Sequence, residues 1–297
     1  MSLSVVGIGE VLWDLLPSGP QLGGAPANFA FHARSLGAES CLVSRVGTDD
    51  LGQNVLARID AQRLPRNTIQ LDEEQPTGTV MVRLSSQGSP EFEIREHAAW
   101  DYLTVTEPAI KAVRGAAAVC FGSLAQRHPT SRCAITRLLA EARPQALRIF
   151  DINLRQSFYS RDVIEESLHI ANVLKLNEDE LCVLADLFAL SGDARAQMKA
   201  LSAEFGLDVI VLTRGARGSV IYQMGHWSEQ HAQPVLVSDT VGAGDAFTAA
   251  LTLGLLHRME LIEIHALAEQ VARYVCSQIG ATPPLPEAIR LRFRSRS

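Results

Sequence analysis

Lysine is nearly missing from this 297-residue chain: of its 27 cationic side chains only Lys111, Lys175 and Lys199 are lysines, and the arginines are scattered rather than run together. Against 33 acidic residues they leave a formal charge of −6 at pH 7. Nucleic acids and anionic membrane surfaces both call for clustered positive charge, so neither is expected as a partner. Cysteine is scarce as well. The five cysteines, Cys41, Cys120, Cys133, Cys182 and Cys276, are odd in number and form no C-x-x-C pair, which speaks against a disulfide framework. No apolar run reaches the ~18 residues that span a bilayer, the N-terminus carries no charged-then-apolar leader, and no N-x-S/T sequon occurs. The expectation is a cytoplasmic chain.

Several catalytic signatures are missing too. The chain has no G-x-x-x-x-G-K-S/T loop, no H-E-x-x-H, no G-x-S-x-G, and no protein-kinase H-R-D or D-F-G pair. Gly7-Ile8-Gly9 lacks the third glycine of a dinucleotide fingerprint and reads as a tight strand-end turn.

What is present is a 47% hydrophobic chain in which short β-branched runs alternate with longer helical patterns, as in a parallel sheet wrapped by helices. Strands are expected at Ser4–Ile8, Ser40–Val46, Ala117–Phe121, Leu147–Phe150, Ala171–Lys175 and Val209–Leu212. Helices are expected at Pro26–Leu36, with Gly37 as its stop, at Val241–Arg258 and at Leu261–Ile279. One segment breaks the rhythm: Thr79–Leu84 and Glu91–Ile94 flank a polar turn at Ser85–Pro90, which predicts a hairpin with no intervening helix. The closing Arg290–Ser297 stretch reads as a fraying arginine-rich tail.

The richest segment is Ser238-Asp239-Thr240-Val241-Gly242-Ala243-Gly244-Asp245-Ala246-Phe247. Two glycines before an alanine-rich helix leave the first N–H groups bare, and those groups carry the positive end of the helix dipole, so the loop suits an oxyanion or phosphate. Asp245 reads either as a helix-stabilising first-turn carboxylate or as a base that accepts a hydroxyl proton beside the anion hole. Gly23-Gly24-Ala25-Pro26-Ala27-Asn28 opens another helix and reads either as an ordinary strand-to-helix turn or as a close approach to a polar ligand, with the Asn28 amide facing sugar hydroxyls. In Lys175-Leu176-Asn177-Glu178-Asp179-Glu180, helix capping by Asn177 competes with a metal or phosphate role for Glu180. Asp151-Ile152-Asn153-Leu154-Arg155 follows a strand at the sheet edge where ligands bind in open α/β folds. Thr213-Arg214-Gly215-Ala216-Arg217-Gly218, also after a strand, is a turn or a nucleotide cradle.

Taken together and in this order, these motifs resemble the PfkB, or ribokinase, family of sugar kinases over nearly the whole chain; the G-G-A-P-A-N and D-T-V-G-A-G-D-A-F stretches resemble its two signature segments. The resemblance implies a three-layer α/β/α ribokinase-like fold with a mostly parallel central sheet. It implies a single domain over 1–297 with a small β-sheet lid formed by about 11–21 and 67–97. It implies phosphoryl transfer from Mg-ATP to a sugar hydroxyl, with Asp245 as catalytic base and the Gly242, Ala243 and Gly244 amides as anion hole. Lys175, Asn177, Glu180, Thr213, Gly215 and Gly218 fall to ATP, Glu180 also to magnesium through water. Asp239, with backbone near Val241 and Gly280, matches a monovalent-cation site suited to K⁺. A homodimer through the lid is a further expectation.

Within the family, G-G-A-P-A-N, the Phe121–Ala125 run, D-I-N-L-R followed by Phe158-Tyr159, and K-L-N-E-D-E-L most resemble fructokinases. That likeness implies that Asp14, Gly23, Gly24, Asn28, Asn153 and Arg155 form the sugar site and that fructose is converted to fructose 6-phosphate. Two alternatives stand beside it. Arg155 matches an arginine that pairs with a carboxylate in relatives acting on sugar acids, which points to 2-keto-3-deoxygluconate. The other is a non-catalytic sugar- or nucleotide-binding regulator. Phe29 and Phe31 add bulk after Asn28 where many relatives have smaller residues, and would alter the preferred sugar if either faced the pocket.

Overall fold

The computed structural model describes residues 3–16, 19–84 and 90–294. Nine strands make the central sheet: β1 (Ser4–Ile8), β4 (Glu39–Gly47), β5 (Ile69–Asp72), β8 (Ala118–Phe121), β9 (Leu147–Asp151), β10 (Val173–Asn177), β11 (Val209–Thr213), β12 (Ser219–Gln223) and β13 (His226–Gln230), in the order β13-β12-β11-β10-β9-β8-β1-β4-β5. From β5 through β11 every neighbouring pair runs parallel. The last two pairs are antiparallel. A separate sheet, the lid, joins β2 (Leu12–Leu16), β3 (Gly19–Gly23), β6 (Gly78–Leu84) and β7 (Pro90–Ile94) in the order β3-β2-β6-β7. This is a ribokinase-like α/β fold.

The strands bury both faces, and their residues alternate between two cores, as the period-2 geometry of a strand requires. Val6, Ile8, Val119, Phe121, Phe150, Leu174 and Ile210 pack under α3 (Glu107–Gly115), α4 (Pro129–Ala140), α5 (Arg161–Ile170), α6 (Glu178–Phe188) and α7 (Ala194–Phe205). Their neighbours Val5, Ala118, Cys120, Ile149, Val173 and Val209 pack under α1 (Ala25–Ser35), α8 (Ala243–Leu256), α9 (Leu261–Cys276) and α10 (Glu287–Arg294). On the same side α2 (Asp50–Ala61) sets Val55, Leu56 and Ile59 against Phe31 and Val46. Among the described residues no helix is long and apolar enough to cross a membrane.

Two readings from sequence need correction, and a third is borne out. The arginine-rich stretch does not fray through its described part: Ile289 and Phe293, four apart on α10, are buried in the core, one helical face being enough to hold it. The expected 261–279 helix stops at Cys276, and Gly280 turns the chain with φ 84°. The 79–94 hairpin forms between β6 and β7, while its turn at 85–89 lies outside the described residues, as do 295–297 of the tail. Strands β5, β12 and β13 are additional to those expected.

Candidate active site

Because β1, β8, β9, β10 and β11 are parallel, their C-terminal ends open on one edge, and the lid stands over that edge. Between them lies a cleft of about 760 Å³. It gathers residues from five distant segments: Asp14, Gly23, Gly24 and Asn28; Asn153 and Arg155; Lys175, Asn177 and Glu180; Thr213; and Val241, Gly242, Gly244 and Asp245.

One wall is the start of α8. Gly242 caps it in the left-handed region at φ 77°, and a Cβ there would lie 2.3 Å from the Ala281 carbonyl oxygen. Only glycine allows both the conformation and the contact. A Cβ on Gly244 would come within 2.9 Å of Lys175 Nζ. The first N–H groups of α8 therefore meet the cleft without side-chain cover, at the positive end of a 14-residue helix. Ala243 follows Gly242 in this turn, though its side chain does not line the cleft.

Asp245 sits in the first turn of α8, where its Oδ2 accepts a hydrogen bond of 2.8 Å from Asn28 Nδ2. It keeps an opening to the cleft while protein surrounds the rest. That burial, reinforced by repulsion from Asp151 and opposed by Lys175 and the Asn28 bond, raises its pKa to about 6. Behind it Lys175 Nζ donates to Asp151 Oδ1 at 2.9 Å, and Thr248 Oγ1 donates to Asp151 Oδ2 at 2.8 Å. Burial alone would lower the Lys175 pKa; Asp151, Glu180 and Asp245 outweigh it and hold the ammonium charged. A positive charge is thus fixed under the Gly242–Gly244 turn.

Glu180 is bound from two directions. Its Oε2 accepts from the Asn177 N–H at 2.7 Å while Asn177 Oδ1 accepts from the Glu180 N–H at 2.9 Å, a reciprocal capping box. Its Oε1 accepts from Leu154 N–H at 2.9 Å, tying α6 to the loop that carries Asn153 and Arg155. Burial raises its pKa, partly offset by Lys175.

Across the cleft, Asp14 projects from β2. Gly23, opposite Leu12 on the adjacent strand, lets the Asp14 carboxylate lie close, since a Cβ would stand 2.5 Å from Asp14 Oδ2 and displace it. Burial lifts the Asp14 pKa to about 6, with Arg155 pulling it down and Asp239 pushing it up. Gly24, at φ 107°, presses against the Glu10 carbonyl, where a Cβ would meet it at 2.5 Å.

Glu10 is a site residue that motif reading passed over. It lines the cleft, is 2% exposed, and accepts the Ala25 N–H on Oε1 at 3.2 Å, while Oε2 has no hydrogen-bond partner among the described residues. Burial pushes its pKa up to about 7. Its only sequence signal is its place just after Gly9, past the C-terminal end of β1, on the sheet edge where open α/β folds bind their ligands.

The remaining expectations divide. Asp239 joins the two backbone segments expected with it, accepting from Val241 N–H at 3.0 Å and Gly280 N–H at 3.1 Å. Thr213 ends β11 in the cleft, whereas Gly215 and Gly218 lie in the turn beyond and do not line it. Gly218 is explained by packing: a Cβ would stand 2.0 Å from the Gln230 carbonyl oxygen. Phe29 and Phe31 are buried in the cores under α1 and face away from the cleft. Among the described residues no group of three or more His, Cys, Asp or Glu side chains is gathered to hold a metal. Magnesium fits this cleft as an ion carried on phosphate oxygens and waters, with Glu180 at hand, which is how that small, reluctantly dehydrated cation is commonly held.

The pfkB family carbohydrate kinase model matches residues 20–288. The chain is 30% identical over 287 residues to a fructokinase of Klebsiella pneumoniae, covering 93% of this chain and 92% of that protein. An uncharacterized sugar kinase of Pyrococcus horikoshii, solved in complex with ATP, superimposes with a TM-score of 0.78 at 27% identity, covering 94% of each chain. A fructokinase double mutant from Vibrio cholerae O395, in a fructose, ADP and potassium ion bound form, shares the fold with a TM-score of 0.80 at 23% identity over 98% of each chain. With the family's pattern matched over most of its length, the chain belongs to the pfkB family of carbohydrate kinases.

Proposed function

We propose that this carbohydrate kinase is an ATP-dependent fructokinase that transfers the γ-phosphoryl group to the primary hydroxyl of D-fructose, giving fructose 6-phosphate. The observation that carries this reading is Asp245, a part-buried carboxylate at the head of α8, held by Asn28 and set beside the amides of Gly242–Gly244, of which Ala243 N–H makes only a long 3.4 Å bond to the Thr240 carbonyl. With a pKa of about 6, it is ionised at neutral pH yet basic enough to accept the hydroxyl proton as the oxygen attacks phosphorus. The amides and the Lys175 ammonium stabilise the charge on the transferring group. Asp14, Asn28 and Asn153 receive the sugar's hydroxyls, and Asn177, Thr213 and the mouth of the cleft receive ATP. Magnesium neutralises phosphate oxygens when bound. Asp239, with backbone near Val241 and Gly280, is the proposed monovalent-cation site beside the anion hole, and K⁺ is expected to raise turnover. The fructokinase-named relatives support fructose among the sugars.

Arg155 favours a second reading. It lines the sugar end and exerts its charge on Asp14, Glu10 and Asp245, so a sugar acid such as 2-keto-3-deoxygluconate finds a cation there. A non-catalytic regulator has no use for an intact base beside the anion hole. A lid-mediated homodimer belongs to the same reading, since Met81 of β6 is 39% exposed on the lid; light scattering at twice 32.3 kDa would bear it out and a monomer mass would reject it.

The deciding test is coupled ADP release with Mg-ATP and K⁺ over fructose, 2-keto-3-deoxygluconate, ribose, tagatose and adenosine. Fructose is expected to give the highest kcat/KM. A preference for the sugar acid would transfer the assignment to the second reading, and silence across the panel would reject both.

A further inference from the structure

At the C-terminal end of α1, away from the catalytic cleft, is a second cavity of about 520 Å³. Arg34, Arg63 and Arg290, from three different helical regions, converge on it, and its lining contains no aspartate or glutamate. The ion pairs among the described residues engage other cations. The Arg290 Nε is buried and has no hydrogen-bond partner among the described residues. Helices α1 and α2 both end nearby, and their C-terminal dipoles offset about half a charge each, leaving a net charge of about +2 from the three guanidinium groups. In a protein of net charge −6, three arginines around one hollow, with no carboxylate partner among the described residues and with Arg34 donating to the Ala38 carbonyl at 3.5 Å, form a concentrated positive site. Guanidinium forks match phosphate oxygens two at a time, and Ser35, Gln62 and Thr282 add neutral donors.

A short run of contacts leads from the cavity to the Gly242 turn. Thr282, Pro283 and Leu285 line it, and the preceding Ala281 carbonyl accepts a 2.9 Å hydrogen bond from His32 Nε2. That same carbonyl is the atom a Cβ on Gly242 would strike.

We propose that this cavity binds a phosphate-bearing small molecule, separately from the catalytic cleft, and that its occupancy is transmitted to the Gly242 anion hole through Ala281. The matching charge is that of a phosphate dianion, supplied by free phosphate or by a small phosphate ester.

The test is calorimetry on the full-length protein with its cleft saturated by Mg²⁺ and a non-hydrolysable β,γ-imido ATP analogue, titrating inorganic phosphate and glycerol 3-phosphate in parallel. One site per chain is expected, with affinity at least about tenfold weaker in the R34Q/R290Q double variant, because each arginine supplies a charge-assisted hydrogen bond. Tighter glycerol 3-phosphate would identify an ester as the ligand, and equal affinities free phosphate; both support the site. Arg63→Gln, at an exposed position, guards against a packing artefact and is expected to weaken binding severalfold with an unchanged melting temperature. Absence of saturable binding in the wild type, or equal affinity in all three proteins, overturns the site. In a separate titration the analogue's own Kd is expected to shift at least twofold when phosphate is present in the wild type and to stay fixed in R34Q/R290Q, as linkage requires. Phosphate binding without that shift overturns the transmission. None of these readouts depends on which sugar is phosphorylated.

Discussion

Asp245 is read as the catalytic base, and its titration sets the direction of the pH response. The carboxylate must be ionised to accept a proton, so kcat/KM is expected to fall as pH drops through about 6. Asp14 also titrates near 6 and must be ionised to accept hydroxyl hydrogen bonds, so the acid limb should be steeper than first order and relax to first order in Asp14→Asn. Asp245→Asn should lower kcat by about 10²–10⁴ while ATP binding persists, because the anion hole is made of backbone; stopped-turnover assays alongside ATP-analogue titration check this. Glu10 gives the opposite sign in stability. Its folded pKa of about 7 exceeds its ordinary 4.5, so above pH 7 the fold carries a buried charge that the unfolded chain solvates freely, and that penalty fades as pH falls toward 4.5. Glu10→Gln keeps the Oε1 acceptor for Ala25 N–H and removes the charge. It is expected to stabilise the protein by on the order of 2 kcal/mol at pH 8 and by little at pH 4.5, as urea midpoints at the two pH values would show. A destabilised variant at pH 8 would mean that the orphaned Oε2 has a charge-requiring partner in solution.

At the scale of elements, the start of α8 depends on one backbone conformation. Gly242→Ala would place a methyl 2.3 Å from the Ala281 oxygen in a left-handed residue, a strain of about 1 kcal/mol or more before the clash is counted. The turn must open, so the KM for ATP is expected to rise at least tenfold with helix content by circular dichroism unchanged. Such glycine-rich turns were legible in the sequence because left-handed backbone and close carbonyl contacts at Gly24 and Gly242 demand glycine at fixed places. The parallel strands were legible because burial on both faces leaves continuous apolar runs, as in Val209–Leu212. Strands β12 and β13 were not: Ser219–Gln223 and His226–Gln230 are five residues each, mix polar with apolar side chains, and follow a Gly-Ala-Arg-Gly turn that reads equally well as a nucleotide loop. Helix α10 was hidden by its arginines, although Ile289 and Phe293 carry the buried spacing. Contacts between distant segments, such as Lys175 with Asp151 and His32 with Ala281, leave no mark in a single sequence because neither partner is unusual for its local structure.

For the whole molecule, the site is divided between two sheets, and neither is sufficient alone. The proposed base Asp245 and the Gly242–Gly244 turn belong to the main body, whereas Leu12, Asp14, Gln21, Val80 and Ile94 reach the cleft from the lid. With the lid apart, water has access to the phosphate that Asp245 and the α8 amides would activate, and ATP hydrolysis would compete with transfer. In the proposed reaction sugar bridges the halves, because Asp14, the carboxylate proposed to receive its hydroxyls, is on the lid and Asp245, the proposed base, is on the body. Its binding energy can therefore hold the two together only when an acceptor is present. Two measurements follow. ATP hydrolysis without sugar should be a small fraction of sugar-dependent turnover, and Asp14→Asn should lose the sugar's effect on the lid while retaining ATP affinity. In hydrogen exchange, the amides of Leu12–Leu16 and Gly78–Leu84 should slow when sugar and ATP analogue are bound together and change little with the analogue alone. Equal protection with the analogue alone would mean that nucleotide closes the lid, and the low hydrolysis rate would then have to come from the position of Asp245 rather than from exclusion of water.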